Sequence, residues 1–251
     1  MAEAATRDVT DVQVELLSPA ELDAALLTFP VVYMPLGSLE FHGSHLPIGL
    51  DALTAHGLCV RAAIRGGGLV LPPLFQGVGG GHTAYPWTIM MPSADLVSGL
   101  IEDTLSRLES FDVKLVILFT GHFADEQLTM IDQIAERRNA TGNHSLRVLA
   151  TGVNRNESAP LAPDHAGIFE SSLLYAVNAK LVHLDRLPAQ RRHPSIDPGG
   201  DVAGAHRHDP DHPLWGVFGP DPRDLDAVET MQLAEAMTTW LVRLAAEELA
   251  R

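Results

Sequence analysis

The segment Lys114-Leu115-Val116-Ile117-Leu118-Phe119-Thr120, an apolar run of strand length that ends in Gly121-His122, constrains this chain more than any other feature. A strand that is apolar at successive positions, rather than alternate ones, must be covered on both faces. Val31-Val32-Tyr33-Met34-Pro35-Leu36 is a second such run, and shorter ones stand at 68–71 and 146–150. Helical patterns lie between them. Ser18, Pro19 and Glu21 have the N-cap, N1 and N3 character of a helix start. The stretch 51–64 places Leu53, Ala55, Leu58, Cys59, Ala62 and Ala63 on one inner face. Further helices are expected over about 93–110, 125–138, 167–177 and 225–248. Buried strands alternating with helices imply an α/β fold, a three-layer sandwich with a mostly parallel central sheet. Ligands in such sheets collect at the carboxyl ends of the strands, here the segments 37–51 and 121–126.

A length of 251 residues accommodates one domain with a substantial core, 1–251 as a whole. Residues 184–224, rich in Pro, Gly, Asp, Arg and His, read as a long excursion or flap from that domain. The formal net charge of −15 argues against a nucleic-acid partner and against an anionic membrane surface. The first residues lack the basic and apolar regions of a signal peptide, and no apolar run approaches the ~20 residues that span a bilayer. A cytoplasmic location is the expectation. Cys59 is the single cysteine, so no intrachain disulfide can form, and its place in a helical pattern reads as a buried thiol.

The densest polar cluster is Gly37-Ser38-Leu39-Glu40-Phe41-His42-Gly43-Ser44-His45-Leu46-Pro47, directly after a buried strand, with Asp51 just beyond. On an extended segment Glu40 and His42, two apart, project to the same side. Asp51 opens the next helix, from where its carboxylate can swing back to the strand end. A Glu, a His and an Asp form a mixed nitrogen and oxygen ligand set suited to Zn²⁺, Mn²⁺ or Fe²⁺, and His122 could add a fourth group from the adjacent strand. Taken alone, Glu40 and His42 read equally as loop surface and Asp51 as a helix cap.

Four ordered motifs go further. The segment 35–51 (PLGSLEFHGSHLPIGLD) resembles the signature of the creatininase (creatinine amidohydrolase) family. Gly81-His82-Thr83-Ala84-Tyr85-Pro86-Trp87-Thr88 is similar to that family's substrate-side loop, Thr120-Gly121-His122-Phe123-Ala124-Asp125 to its Gly-His motif, and Asp164-His165-Ala166-Gly167-Ile168-Phe169-Glu170-Ser171-Ser172 to its His-Ala-Gly motif. The resemblance implies a Rossmann-like sandwich, commonly a homohexamer, with two divalent metal ions (Zn, Mn or Fe). It implies that Glu40 and His122 hold one ion, His42 the other, and that Asp51 bridges them. A water between such ions has a lowered pKa and supplies a hydroxide nucleophile. It further implies that His165 protonates the leaving nitrogen and that Glu170 ligates the second ion or orients His165. His82, Tyr85, Trp87 and Phe123 are the candidate substrate contacts.

The departures from the family pattern are informative. Creatininase carries a metal-binding Glu where this chain has Ala124, so the second ion must recruit Glu170, Asp125 or water. Phe41, Ser44, Trp87 and Asp125 also replace the usual residues, and Leu161-Ala162-Pro163 stands where creatininase has an aromatic substrate clamp. Creatinine itself is therefore not the expected substrate. The expectation is hydrolysis of an amide-type C–N bond in a small substrate, cyclic amides included. The alternatives are ring opening of a cyclic ketone or lactone of polyol origin, or a metal-binding scaffold without activity. His45 reads as a supporting histidine, and His206, His208 and His212 as a solvated tract.

Overall fold

Two apolar runs become the centre of the sheet. In the computed structural model, which describes residues 7–140, 145–189, 209–212 and 214–251, Val31–Leu36 forms β1 and Leu115–Thr120 forms β3. They pair in parallel along their whole length, from Val31 opposite Leu115 to Leu36 opposite Thr120. The short β2 (Leu69–Val70) flanks β1, and β4 (Arg147–Gly152) flanks β3, giving an all-parallel order β2-β1-β3-β4. Side chains alternate between two cores. Val31, Tyr33, Leu115, Ile117 and Phe119 enter one, whereas Val32, Met34, Leu36, Val116 and Leu118 enter the other. Pro35, which cannot donate to a ladder, stands beyond the last β1–β2 pair, Tyr33 opposite Val70, and its carbonyl accepts from the Leu74 N–H at 3.0 Å.

Helices cover both faces. α1 (Pro19–Thr28), α3 (Ala94–Glu109) and α4 (Asp125–Ala140) lie on one side, and Val97, Ile101, Leu105, Met130, Ile131 and Ile134 fill that core. On the other lie α2 (Leu50–Gly66), α5 (Ile168–Asn178) and α6 (Ala227–Leu249), through Leu58, Cys59, Phe169, Leu173, Leu233, Met237 and Leu241. The α/β sandwich with a parallel sheet is thus as the sequence implies. Several boundaries move. β4 runs on to Gly152 because Thr120 still has a partner there, and α6 starts at Ala227, where the Asp226 carboxylate accepts from the Val228 and Glu229 N–H groups. The Glu21 carboxylate accepts from the Ser18 N–H, as the helix-start pattern requires.

The chain leaves β1 toward β2, then returns past β1 to place β3 on its other side. That reversal makes the C-terminal ends of β1 and β3 the switch point at which α/β sheets bind ligands. Two glycines let α2 approach it. A Cβ on Gly37 or on Gly121 would run into the backbone of Asp51 or Ala52. The first turn of α2 is therefore wedged between the two strand ends, with Asp51 at its tip. The ends of the 184–224 excursion are packed down: Leu187, Leu214 and Val217 join Leu46, Leu50, Ala166 and Leu174 in a third apolar cluster. His206 and His208 lie outside the described residues.

Candidate metal centre

Asp51, fully buried, presents its two carboxylate oxygens to two different groups. Its Oδ2 lies 3.4 Å from His122 Nδ1, which is itself 3.0 Å from Glu40 Oε2. Its Oδ1 lies 3.3 Å from His42 Nε2, which is 3.5 Å from Glu170 Oε2. The donor atoms of Glu40, Asp51 and His122, and separately those of His42, Asp51 and Glu170, lie within 4.8 Å of one another. Glu40, His42 and His165 form a third group within the same limit, so Glu40 and His42 each belong to one Asp51 group and also meet each other. The 37–42 segment has no regular secondary structure, yet Glu40 and His42 still come within reach of one another, as their two-residue spacing suggests.

The histidine tautomers follow from their backbone partners. His42 Nδ1 is 2.9 Å from the Glu40 carbonyl, and His122 Nε2 is 3.2 Å from the Val78 carbonyl. A carbonyl only accepts, so those nitrogens carry the hydrogens, and His42 Nε2 and His122 Nδ1 turn lone pairs to the carboxylates when neutral. His42 Nε2 is buried with no hydrogen-bond partner among the described residues. Such an orphaned nitrogen is costly unless something else satisfies it, and a carboxylate–imidazole donor set is the chemistry of a divalent-ion site.

Without an ion, protons do that work. Burial would push His42 down, but Asp51, Glu170 and Glu40 lift it to about 10. His122 is likewise raised to about 10, against its burial, by Asp51 and Glu40. Asp51 is held well below the usual carboxylate range by the two histidines although burial opposes this. Burial raises Glu170 well above its ordinary value, with Asp51 and Asp164 adding to it and His42 opposing.

His165 stands beside this cluster. Its ring stacks on His42 at 4.5 Å between centroids, and its Nε2 is 3.0 Å from the Phe41 carbonyl. A cavity of about 180 Å³ opens onto Glu40, Gly80, His122, Phe123, Ala124, His165 and Glu170. Phe123 lines it, as does Ala124, which offers no ligand. Asp125 lies elsewhere, in a cleft with Ser98 and Arg137, which leaves Glu170 as the acid beside His42 in addition to Asp51. Tyr85 packs instead on Phe41 (5.3 Å) and Trp215 (5.1 Å). Trp87 is 77 % exposed with φ 61° and does not line the cavity. The side chain of His82 lies outside the described residues.

Two residues of the site were not singled out from the sequence. Ser38 donates to Asp51 Oδ2 at 2.6 Å and so orients the shared carboxylate; its place in the Gly-Ser-x-Glu motif was the available signal. Asp164, buried, accepts from the Gly167, Phe169 and Glu170 N–H groups. That cap holds the turn on which Ala166 takes a φ of 58° and donates to Glu170 Oε2 at 2.6 Å. Burial raises Asp164 to about 7 even against those hydrogen bonds. His45, also buried, has its Nε2 3.2 Å from Ser171 Oγ.

Fold and site together define a class: a doubly wound parallel α/β protein with a buried carboxylate–imidazole cluster at its switch point. The chain belongs to the creatininase family, whose model, described as creatinine amidohydrolase, matches residues 15–245. It is a creatininase-family amidohydrolase, an enzyme. Creatinine amidohydrolase of Pseudomonas putida is 29 % identical over 177 residues, covering 62 % of this chain and 68 % of its own. The mycofactocin precursor peptide peptidase of Mycobacterium ulcerans (strain Agy99) is 29 % identical over 237 residues, 87 % of this chain and 86 % of its own. A crystal structure of creatininase shares the fold with a TM-score of 0.75 at 23 % identity, covering 94 % of this chain and 97 % of that one.

Proposed function

We propose that this chain cleaves an amide-type C–N bond in a small substrate, with two divalent ions held on either side of Asp51. Glu40, His122 and Asp51 Oδ2 would hold one, and His42, Glu170 and Asp51 Oδ1 the other. The observation that carries this reading is the division of Asp51 between two donor groups, one of them containing the orphaned His42 Nε2. Zinc or manganese is the favoured ion: related creatininase structures are described as Zn-Zn type and as Mn. Bound there, the ions would lower the pKa of water and polarise the carbonyl under attack.

The protein's own groups do the rest. Ser38 keeps Asp51 turned to both sides. His165 commits its Nε2–H to the Phe41 carbonyl, so Nδ1 is the atom that hands a proton to the leaving nitrogen. Glu170 is tied to the same turn through the Ala166 N–H, which couples the second donor group to the proton donor. The cavity of about 180 Å³ admits only a small reacting group. Its described lining contains no Ser, Thr or Tyr hydroxyl, which a polyol-derived ketone or lactone would need. The peptidase relatives also favour a C–N bond. A scaffold without activity would have no use for a proton donor beside a complete donor set.

The test is elemental analysis of protein purified without chelator, followed by a screen of small linear and cyclic amides against lactones. About two equivalents of metal per chain and chelator-sensitive amide hydrolysis are expected. Protein that takes up no zinc or manganese on reconstitution would favour the scaffold, and turnover of lactones alone would favour ring opening.

A further inference from the structure

An aromatic cluster adjoins His165 through Phe41 and Phe218, and the reaction assigns its rings no part. Phe41 stacks on Tyr85 at 5.3 Å with the rings 9° from parallel. Trp215 closes against both, 5.0 Å from Phe41 and 5.1 Å from Tyr85, and Phe218 meets Tyr85 edge-on at 6.3 Å. All four residues are half-buried. The cluster is built closely. Gly216 adopts a φ of 79°, and a Cβ there would press on the Phe41 ring. It is also continuous with the site. The backbones of His165 and Phe218 exchange both hydrogen bonds (3.2 and 2.8 Å), their rings lie 5.2 Å apart, and the Phe41 carbonyl holds His165 Nε2.

We propose that Phe41, Tyr85, Trp215 and Phe218 form a subsite for a flat aromatic group carried on the leaving nitrogen of the substrate. This rests on the reading of His165 as the group that protonates that nitrogen. The cavity at the carboxylates has room for little beyond the reacting carbonyl and its neighbours. None of the four rings lines that cavity; they stand behind His165, whose ring contacts Phe218, and a substrate extending past His165 would reach them. Four aromatic side chains offer ring faces and edges suited to offset or edge-on contact with another ring, and no formal charge. A planar aromatic substituent is the chemistry they recognise. Phe41 and Trp215 come from segments far apart in the chain, so the subsite exists only when residues 214–218 are folded against the signature loop.

N-Benzyl- and N-methyl-acetohydroxamic acid separate these ideas, because both chelate a divalent ion and differ only in the nitrogen substituent. Their affinities for zinc-loaded protein would be measured by titration calorimetry. The benzyl compound is expected to bind about 10-fold more tightly, and the preference to fall to about 2-fold or less in Trp215→Leu and in Tyr85→Leu. Equal affinities in the parent protein overturn the subsite, a comparison that needs no variant to fold. So does a preference retained in both folded variants. Binding of both compounds without preference refutes the subsite alone. Binding of neither, with zinc uptake absent, refutes the metal-site reading together with it.

Discussion

Metal uptake by this protein should depend steeply on pH, and the slope should differ between the two donor groups. His42 and His122 are both raised from 6.5 to about 10 in the metal-free protein. At pH 7 each therefore carries a proton that an incoming ion must displace. The gap of about three pH units costs about 4 kcal/mol per histidine at 1.36 kcal/mol per unit, roughly a 1,000-fold weakening. The sign follows: affinity rises with pH until the histidines lose their protons unaided, near 10. The Glu40–His122–Asp51 group contributes one such proton, so its apparent Kd should fall about 10-fold per pH unit between 6 and 8. In the His42–Asp51–Glu170 group burial also raises Glu170 well above its ordinary value, so uptake there should rise more steeply with pH than at the other group. Competition with a chromophoric chelator at several pH values measures the slopes. Calorimetry in buffers of different ionisation enthalpy counts the protons released. Affinities that stay level from pH 6 to 8 with no proton release would refute the assignment of these histidines as ligands.

Asp51→Asn should abolish uptake of both ions and the rise in Tm that zinc gives the parent; elemental analysis and a melt with and without chelator check it, and a retained full complement would contradict the shared-carboxylate geometry. His165→Ala should keep its metal while turnover falls by about 10²-fold or more; loss of metal instead would make His165 a ligand. Asp164→Ala removes the acceptor of three backbone N–H groups at the start of α5 and should cost about 2 kcal/mol. Its melting temperature should drop by several degrees, with turnover falling as Ala166 and Glu170 lose their fixed turn; an unchanged melt would mean that the cap is dispensable. Acid should also destabilise the protein through His45, which burial holds down at about 4. The unfolded chain takes up that proton below about 6.5 and the native protein does not, so stability should decline between those values, and a urea titration across them should find it.

Much of the architecture was legible in advance for a simple reason. β1 and β3 are buried on both faces, and such strands must be apolar at every position, a pattern that needs no knowledge of partners. Caps are equally local: Ser18 with Glu21, and Ser93 accepting from Leu96 N, involve neighbours a few residues apart. Glu40, His42, Asp51 and His122 could be named because they crowd the ends of those two strands, whereas His165 and Glu170 were named only through the family resemblance. The Pro/Gly/His-rich stretch was read as an excursion, and its described ends prove to be anchored by Leu187, Leu214 and Val217, apolar positions too sparse to make a pattern.

By itself, then, the sequence determined the layers, the strand ends and the four donors Glu40, His42, Asp51 and His122 beside them, because each depends on burial or on contacts within a few residues. The tertiary structure alone decided how that set divides. Asp51 faces both groups because Gly37 and Gly121 let α2 close on two strands at once. Glu170 reaches His42 because Asp164 caps the distant α5. Phe41 and Trp215 meet because residues 165 and 218 pair their backbones. Those contacts join residues tens to more than a hundred positions apart, and no local periodicity encodes which long-range neighbour a side chain will meet.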